Sequence, residues 1–267
     1  MTTTTRLSLV FLLAAAPGCA TAPAAPDLAR ARFVELTHPF SRETLFWPTE
    51  EEGFVLEPVF KGTTEGGYHY EANRFRSAEH GGTHLDAPAH FAEGGDTTDA
   101  VPLERLVAPA VRVDVRDACA RDRDHAVSRA DLAAFEAAHG AIPPGAIVLL
   151  DTGFAERWPD RVRYLGTAER GAPATAHLHF PGLSAQAARW LAEERRIAAV
   201  GIDTASIDPG PSRDFSAHRE LAAHGVPAFE NLASLGDLPP RNFWMIALPM
   251  RIAGGSGGPL RAIAVLR

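Results

Sequence analysis

Four side chains that commonly bind divalent cations lie within one eleven-residue stretch of the sequence. They are His80, His84, Asp86 and His90, in the string HGGTHLDAPAH. The chain has 11 histidines in 267 residues, so fewer than one is expected by chance in such a window. Imidazole and carboxylate groups are suitable ligands for Zn²⁺ and Mn²⁺. The stretch therefore predicts a metal site with at least one histidine left over for chemistry, which explains the cluster better than ordinary hydrogen-bonded histidines do.

The backbone of this stretch has to bring those side chains to one point. In an extended segment, residues two apart share a face, so His84 and Asp86 are expected to point the same way. His80 and His84 are four apart, a spacing that also suits one turn of a helix. The two glycines and the proline argue against one regular helix through the whole motif. We expect a strand end, a tight glycine turn and a short following element.

The same string resembles a known family signature. It fits His-Xaa-Gly-Thr-His-Xaa-Asp-Xaa-Pro-Xaa-His, which is similar to the mark of the cyclase family of metal-dependent hydrolases. That family includes bacterial kynurenine formamidases (arylformamidases) and isatin hydrolases. The resemblance continues through residues 201–208, the segments 218–221 and 227–232, and residues 255–262, so that it covers residues 33 to 267.

The resemblance implies a role for each polar residue of these motifs. The first group of metal ligands would be His80, His84 and Asp86. Asp86 would bridge two ions where two are bound. His218 and Glu230 would either complete a second metal position or belong to the outer shell. His90 would be the catalytic acid/base and not a ligand.

This ligand set suits hydrolysis of an amide. A cation with open coordination positions lowers the pKa of bound water toward neutrality and polarises a substrate carbonyl. A neighbouring histidine can take the water proton and return it to the leaving nitrogen, and His90 is the candidate. The predicted function is cleavage of a C–N bond in a formamide or cyclic amide, of the arylformamidase type. The cofactor is one or two ions of Zn²⁺ or Mn²⁺, between which the sequence does not choose.

Two other readings stay open. One is a related metal-dependent lactonase, dehydratase or cyclase. The other is a periplasmic metal- or ligand-binding lipoprotein without turnover, which would not need the unligated His90. The sequence has no Gly-Xaa-Ser-Xaa-Gly elbow, no Walker A loop and no dinucleotide-binding glycine fingerprint. A role in tryptophan catabolism follows from the resemblance to arylformamidases, but export points to a different substrate.

Composition limits the partners. The formal net charge is −7, the sequence pI is about 5.9, and no basic run is present, which argues against nucleic-acid binding. A hydrophobic content of 46% provides for a sizeable core. We expect a small-molecule substrate. The resemblance further implies a homo-oligomer.

The N-terminus predicts export. An apolar run over residues 7–16 has the length of a signal-peptide core and is too short to span a bilayer. Cys19 then resembles the lipidated cysteine of a bacterial lipoprotein, and ordinary cleavage near Ala22 is the alternative. We assign residues 1–26 to a signal peptide and short linker, and residues 27–267 to the hydrolase-like domain. The protein is expected in the periplasm or anchored to a membrane through Cys19, with Cys119 as a structural thiol.

Alternating helical and strand patterns predict an α/β fold. Apolar runs at 146–150 and 197–202 predict buried strands, and residues 128–139 predict a helix with Ser128 as its N-cap. A second helix is expected over 184–196 and a third over 218–224. The resemblance implies a single domain with a mixed sheet in the family's swivelling β/β/α arrangement.

Several polar and aromatic residues remain ambiguous. Asp203 and Asp208 follow a buried strand, and they either orient metal ligands or form turns. His177 and His179 either line the pocket or lie in an exposed loop. The segment Phe46-Trp47-Pro48 either covers a pocket for an aromatic substrate or packs in the core.

Overall fold

The computed structural model describes residues 25–267. The predicted lipidation site Cys19 and all but the last two residues of the predicted export segment lie outside the described residues. Within the described part, no helix is long and apolar enough to cross a bilayer.

Eight strands form one mixed sheet that closes into a barrel. The sheet has the order β1-β12-β11-β5-β7-β9-β10-β4, and β4 also pairs with the start of β12. β5, β7 and β9 run parallel to one another, and β9 also runs parallel to β10. The strands are β1 (Arg32–Glu35), β2 (Val55–Thr63), β3 (His69–Arg76), β4 (His84–Asp86), β5 (Val107–Asp114), β6 (Ala126–Val127), β7 (Ile147–Asp151), β8 (Gly182–Leu183), β9 (Ala199–Ile202), β10 (Ala228–Glu230), β11 (Phe243–Pro249) and β12 (Gly257–Leu266).

Strand alternation divides the core into two layers. In β7 every residue is buried, which explains its uninterrupted apolar sequence. Ile147 and Leu149 point into the barrel interior, where they join apolar side chains from the other barrel strands. Val148 and Leu150 point outward and pack with residues of the covering helices. The predicted α/β fold with a mixed sheet is therefore confirmed, and its strands at 146–150 and 197–202 shift by no more than two residues.

Helices connect these strands, and those at 116–121, 129–139, 185–190 and 216–223 pack against the outer layer of the core. The helices are α1 (Leu103–Leu106), α2 (Arg116–Arg121), α3 (Arg129–His139), α4 (Arg161–Leu165), α5 (Ala185–Trp190) and α6 (Ser216–Ala223). Ser128 caps α3 as predicted, because its hydroxyl accepts from the backbone N–H of Asp131, whose carboxylate in turn accepts from Ser128. The helix predicted over 184–196 is interrupted: α5 passes into a π-helical segment at Leu191–Arg195.

β2 and β3 form a separate hairpin outside the barrel, and nearly all of its residues are exposed. The hairpin begins shortly after Glu50, and its β3 end leads directly to the predicted metal motif that starts at His80. Cys119 is buried in the outer core, and this burial raises the pKa of its thiol to about 12. A structural role for Cys119 is therefore confirmed.

Candidate metal centre

The predicted glycine turn and short elements are present in the metal motif. Gly82 has a φ of +57°, and a Cβ there would lie 2.6 Å from the ring of Phe40. A Cβ at Gly81 would lie even closer to the ring of Phe46. Only glycine lets this turn pass under the two rings. The turn leads into β4, which is followed by a 3₁₀ turn at Pro88–His90.

The register of β4 places the distant acidic residue beside the motif. β4 pairs antiparallel with β10, so that His84 lies opposite Glu230. On its other side β4 pairs with the start of β12, where Gly257 lies opposite Asp86. A Cβ on Gly257 would lie 2.4 Å from the ring of His80, so this glycine makes room for the histidine. The glycine-rich loop at residues 254–258 thus passes close to His80, a predicted ligand.

The five predicted metal-ligand residues converge in two groups that share Asp86. The first group contains His80, His84 and Asp86, and the second contains Asp86, His218 and Glu230. Within each group the candidate ligand atoms lie within 4.8 Å of one another. We call these five residues the metal centre.

Short contacts connect the two groups through Asp86. Its Oδ1 lies 2.6 Å from Nδ1 of His80 and 3.1 Å from Nε2 of His84. Its Oδ2 lies 2.9 Å from Nε2 of His218, and that nitrogen lies 3.0 Å from Oε1 of Glu230. The carboxylate of Asp86 therefore faces both groups, one oxygen to each.

Neighbouring groups fix how the imidazoles are turned. Nδ1 of His218 lies 2.6 Å from Oδ2 of Asp208, which also accepts the backbone N–H of His218 at 3.1 Å. Nδ1 of His84 lies 2.9 Å from the carbonyl oxygen of Gly82. Both contacts leave Nε2 directed at the carboxylates, as expected for metal-binding histidines. Of the two aspartates left open by the sequence, Asp208 orients a candidate ligand.

A second contact network holds the Gly82 carbonyl in place. The side-chain N–H of Asn231 donates to that carbonyl at 2.8 Å, and its Oδ1 accepts from the Tyr164 hydroxyl at 2.9 Å. Asn231 itself has a positive φ of 53° and directly follows Glu230. These two residues were not predicted from the sequence. The position of Asn231 directly after a candidate ligand was the one signal available in the sequence.

Burial and charge act against each other in the metal centre. Burial alone would lower the pKa of His84, but the charges of Asp86 and Glu230 overcome it and raise the pKa to about 9. Burial would likewise raise the pKa of Asp86, yet the neighbouring histidines hold it well below its usual range. Burial and the charge of Asp86 raise the pKa of Glu230. Positive charge on the neighbouring imidazoles thus stabilises the ionised form of Asp86.

This donor set fits a divalent cation. Among the described residues, Asp86 and Glu230 form ion pairs with histidines only, and neither has an arginine or lysine partner. Both carboxylates are buried, which normally requires a fixed countercharge. A cation supplies that charge when the imidazoles lose their protons, and nitrogen and carboxylate ligands suit Zn²⁺ and Mn²⁺.

His90 lies beside the metal centre and belongs to neither group. Its ring stacks on that of His80, with centroids 3.8 Å apart and planes 20° apart. The His90 ring forms no hydrogen bond with the described residues, so both ring nitrogens are free for water or substrate. Desolvation lowers the pKa of His90 to about 4, outweighing the attraction of Asp86. The ring is therefore neutral at neutral pH and able to accept a proton.

An apolar cavity of about 430 Å³ opens onto these residues. The metal centre and His90 form part of its wall, and aromatic rings form much of the remainder: Phe46, Trp47, Phe91 and Phe215. The Phe46-Trp47 segment thus serves both of the roles left open, because Phe46 is buried and also faces the cavity. A site of this size suits a small aromatic molecule.

Other polar residues from the sequence fall outside the cavity lining. His177 pairs with Glu169 and His179 with Asp124, and all four side chains are at least 31% exposed. Ser256, in the glycine-rich loop, contacts Nε2 of His80 at 2.9 Å and donates to Glu79 at 2.7 Å. The sequence placed residues 255–262 in the family resemblance but did not identify Ser256 or Glu79 as contacts of the metal centre.

Comparison with known proteins gives this arrangement a family. The Cyclase family model, described as "Putative cyclase", matches residues 34–209. The chain belongs to the cyclase family. It is 32% identical over 196 residues to isatin hydrolase of Roseibium aggregatum, covering 70% of this chain and 72% of that one.

Two further relatives extend the match. A kynurenine formamidase of Salinibacter ruber is 28% identical over 235 residues, which is 86% of this chain and 95% of the relative. Isatin hydrolase A from Ralstonia solanacearum superposes with a TM-score of 0.79 at 31% identity, covering 90% of this chain and 93% of that one. The family resemblance and the fold expected from it are therefore confirmed.

Proposed function

We propose that this protein is a metal-dependent hydrolase that cleaves the C–N bond of an aryl formamide or a cyclic aryl amide. The observation that carries the proposal is an unligated histidine, His90, stacked on the edge of the Asp86-centred ligand cluster inside an aromatic cavity. The named activities of the relatives, isatin hydrolysis and kynurenine formamide hydrolysis, both break such a bond.

The metal centre would hold one or two divalent cations, Zn²⁺ or Mn²⁺. His80, His84 and Asp86 would hold one, and Asp86, His218 and Glu230 the other. When bound, the cation supplies Lewis acidity that activates water and polarises the carbonyl. The chain itself supplies orientation: Asp208 and the Gly82 carbonyl keep the two Nε2 atoms directed inward, while Ile207 donates its N–H to Glu230 at 2.7 Å.

His90 is the proposed acid/base. Its neutral ring accepts the proton of the attacking water and delivers it to the leaving nitrogen, which must be protonated as the C–N bond breaks. Stacking on His80 fixes the plane of the ring without occupying either nitrogen. A protein that only stored metal or bound a ligand would have no use for such a group.

The test is substitution of His90 in the protein from residue 27 onward. His90→Ala should retain the metal content of the wild type by elemental analysis but lose most turnover of formanilide or isatin, since general acid–base catalysis contributes about 10²–10⁴-fold. His177→Ala is the matched control, because the His177 side chain is exposed and does not line the cavity. Near-normal turnover by His90→Ala would overturn the role. Inclusion of lactones in the substrate panel tests the lactonase alternative.

Export and assembly are further parts of the proposal. The apolar run at 7–16 and Cys19 support export to the periplasm with lipid anchoring, and incorporation of labelled palmitate by the wild type but not by Cys19→Ser would test it. The exposed apolar side chains of the β2–β3 hairpin support a homo-oligomer, because an isolated two-stranded hairpin is marginally stable. Light scattering of the purified domain measures that state directly.

A further inference from the structure

The charged groups that line the cavity are unevenly distributed. Apart from the metal centre and His90, Glu50 is the one charged residue in the described lining, and no lysine or arginine contributes to that lining. The apolar part of the wall combines four aromatic rings with the aliphatic side chains of Leu45, Ala78, Leu165 and Ala205. A substrate group that extends away from the metal centre therefore meets apolar side chains and one carboxylate.

Glu50 is fixed at the outer end of the cavity. Its backbone N–H donates to the carbonyl of Trp47 at 2.9 Å, closing a turn. Its Oε1 accepts the N–H of Glu52 at 3.0 Å and that of Gly53 at 3.4 Å. Thr49 is exposed and Glu50 half-buried, whereas Asp86 and Glu230 are buried. Glu50 thus lies nearer to solvent than Asp86 and Glu230, with its Oε2 unpaired among the described residues.

Aromatic side chains connect the two ends of the cavity. The ring of Trp47 lies 6.1 Å from that of Phe215, which lies 5.3 Å from that of Phe91. Phe91 in turn lies 4.5 Å from the ring of His218. Trp47 and Glu50 belong to one turn, and both line the cavity. A substituent on an aryl ring that packs against Trp47 is therefore on the same side of the cavity as Glu50.

We propose that Glu50 sets substrate specificity by charge: the site takes aryl amides whose ring substituents are neutral or carry an ammonium group, and it rejects those that carry a carboxylate. This inference rests on the proposed function. The physical basis is repulsion between two carboxylates at the edge of a low-dielectric cavity, where the described lining has no lysine or arginine beside Glu50 to offset it. Simple aryl formamides and cyclic amides are then better substrates than aryl formamides that bear an α-amino acid side chain.

The test compares three matched substrates on the metal-loaded protein: formanilide, and formanilides carrying either an aminomethyl or a carboxylate group on the ring. The wild type should hydrolyse the carboxylate compound with a kcat/KM lower by on the order of tenfold than the neutral one, through KM. The penalty should shrink as ionic strength rises. In Glu50→Gln the kcat/KM values of the neutral and carboxylate compounds should become more similar. In Glu50→Lys the carboxylate compound should have the higher kcat/KM.

Glu51→Gln is the matched control, because Glu51 is exposed and does not line the cavity. Its substrate ratios should equal those of the wild type. If all three compounds are hydrolysed and their kcat/KM ratios do not change when Glu50 is substituted, Glu50 does not set specificity. The hydrolase proposal would then still stand. If the metal-loaded protein hydrolyses neither the three formanilides nor isatin, the proposed function is overturned and this inference with it.

Discussion

Two buried carboxylate clusters lie at strand ends in this barrel, and their partners differ. In the metal centre, Asp86 and Glu230 face imidazoles. In the second cluster, Asp151 ends β7 and Asp203 follows β9. Asp151 contacts Nη1 of Arg112 at 3.2 Å, and Asp203 accepts both the N–H and the hydroxyl of Thr152 at 2.9 and 2.6 Å.

The difference separates a ligand site from a structural one. Arginine, hydroxyl and backbone N–H groups do not lose a proton at neutral pH, so a metal ion does not replace them as partners of a carboxylate. Protonated imidazoles can, since they exchange a proton for a metal ion. Asp203 therefore holds the chain that follows β7, while Asp208 orients a candidate metal ligand. Buried acids alone do not indicate a metal site; their exchangeable partners do.

The largest expected difference in turnover is between the variants Asp86→Asn and Asp151→Asn. The first removes the carboxylate shared by both ligand groups and should lower turnover on the order of 10³-fold, because a bound cation contributes several kcal/mol to the transition state. The second changes the other cluster and should affect turnover little. Steady-state rates with formanilide and isatin, with thermal melts to confirm folding, measure both. Equal losses in the two variants would remove the distinction between the clusters.

A smaller effect is expected from the group that orients His218. Asp208→Ala leaves all five candidate ligands in place but frees the imidazole to rotate. Metal affinity should fall by about 10- to 100-fold, as for other residues that support a metal ligand. Competition with a chromogenic chelator gives the dissociation constant without relying on activity. Unchanged affinity would show that the 2.6 Å contact to Asp208 is dispensable.

The smallest effect concerns stability against pH in the second cluster. Burial, followed by the charge of Asp203, raises the pKa of Asp151 to about 7. Because the folded protein holds this proton more tightly than the unfolded chain, the contribution is present below the unfolded pKa and lost as pH rises through 7. The free energy of unfolding should fall by at most about 1.4 kcal/mol per pH unit between pH 5 and 7.

Asp151→Asn is the matched comparison for that pH effect. This variant resembles the protonated wild type, so its free energy of unfolding from urea curves should match the wild type only below pH 3.8, the ordinary pKa of the group. Above that pH the variant should be the more stable protein, by a margin that grows up to about pH 7 and persists at pH 8. Parallel pH dependences in the two proteins would show that Asp151 is ionised throughout this range.

The sequence predicted the parts of the site that are local. His80, His84 and Asp86 are close in the chain, and their spacing with glycine and proline predicts the turn and strand that the structure contains. Glu230 needed the resemblance, because its place opposite His84 depends on an antiparallel pairing across 146 residues, which no local pattern encodes. The buried strands followed from uninterrupted apolar runs, whereas barrel closure by the three-residue β4 did not.

The groups that support the ligands were the hardest to predict. Asn231, Tyr164 and Ser256 act through contacts with segments that are distant in sequence, and each is an ordinary polar residue in its own segment. Asp208 was recognised as a polar residue at a strand end, but only its contact with His218 distinguishes it from Asp203.

The central claim is that Asp86 joins two cation positions in one centre. Its most direct test is titration of Zn²⁺ and, separately, Mn²⁺ into metal-free protein from residue 27 onward, with bound metal counted by elemental analysis. The wild type and Asp151→Asn should each bind one or two equivalents, and Asp86→Asn should bind none tightly. A wild type that binds neither ion after reconstitution, or an Asp86→Asn variant that binds as much as the wild type, would contradict the account.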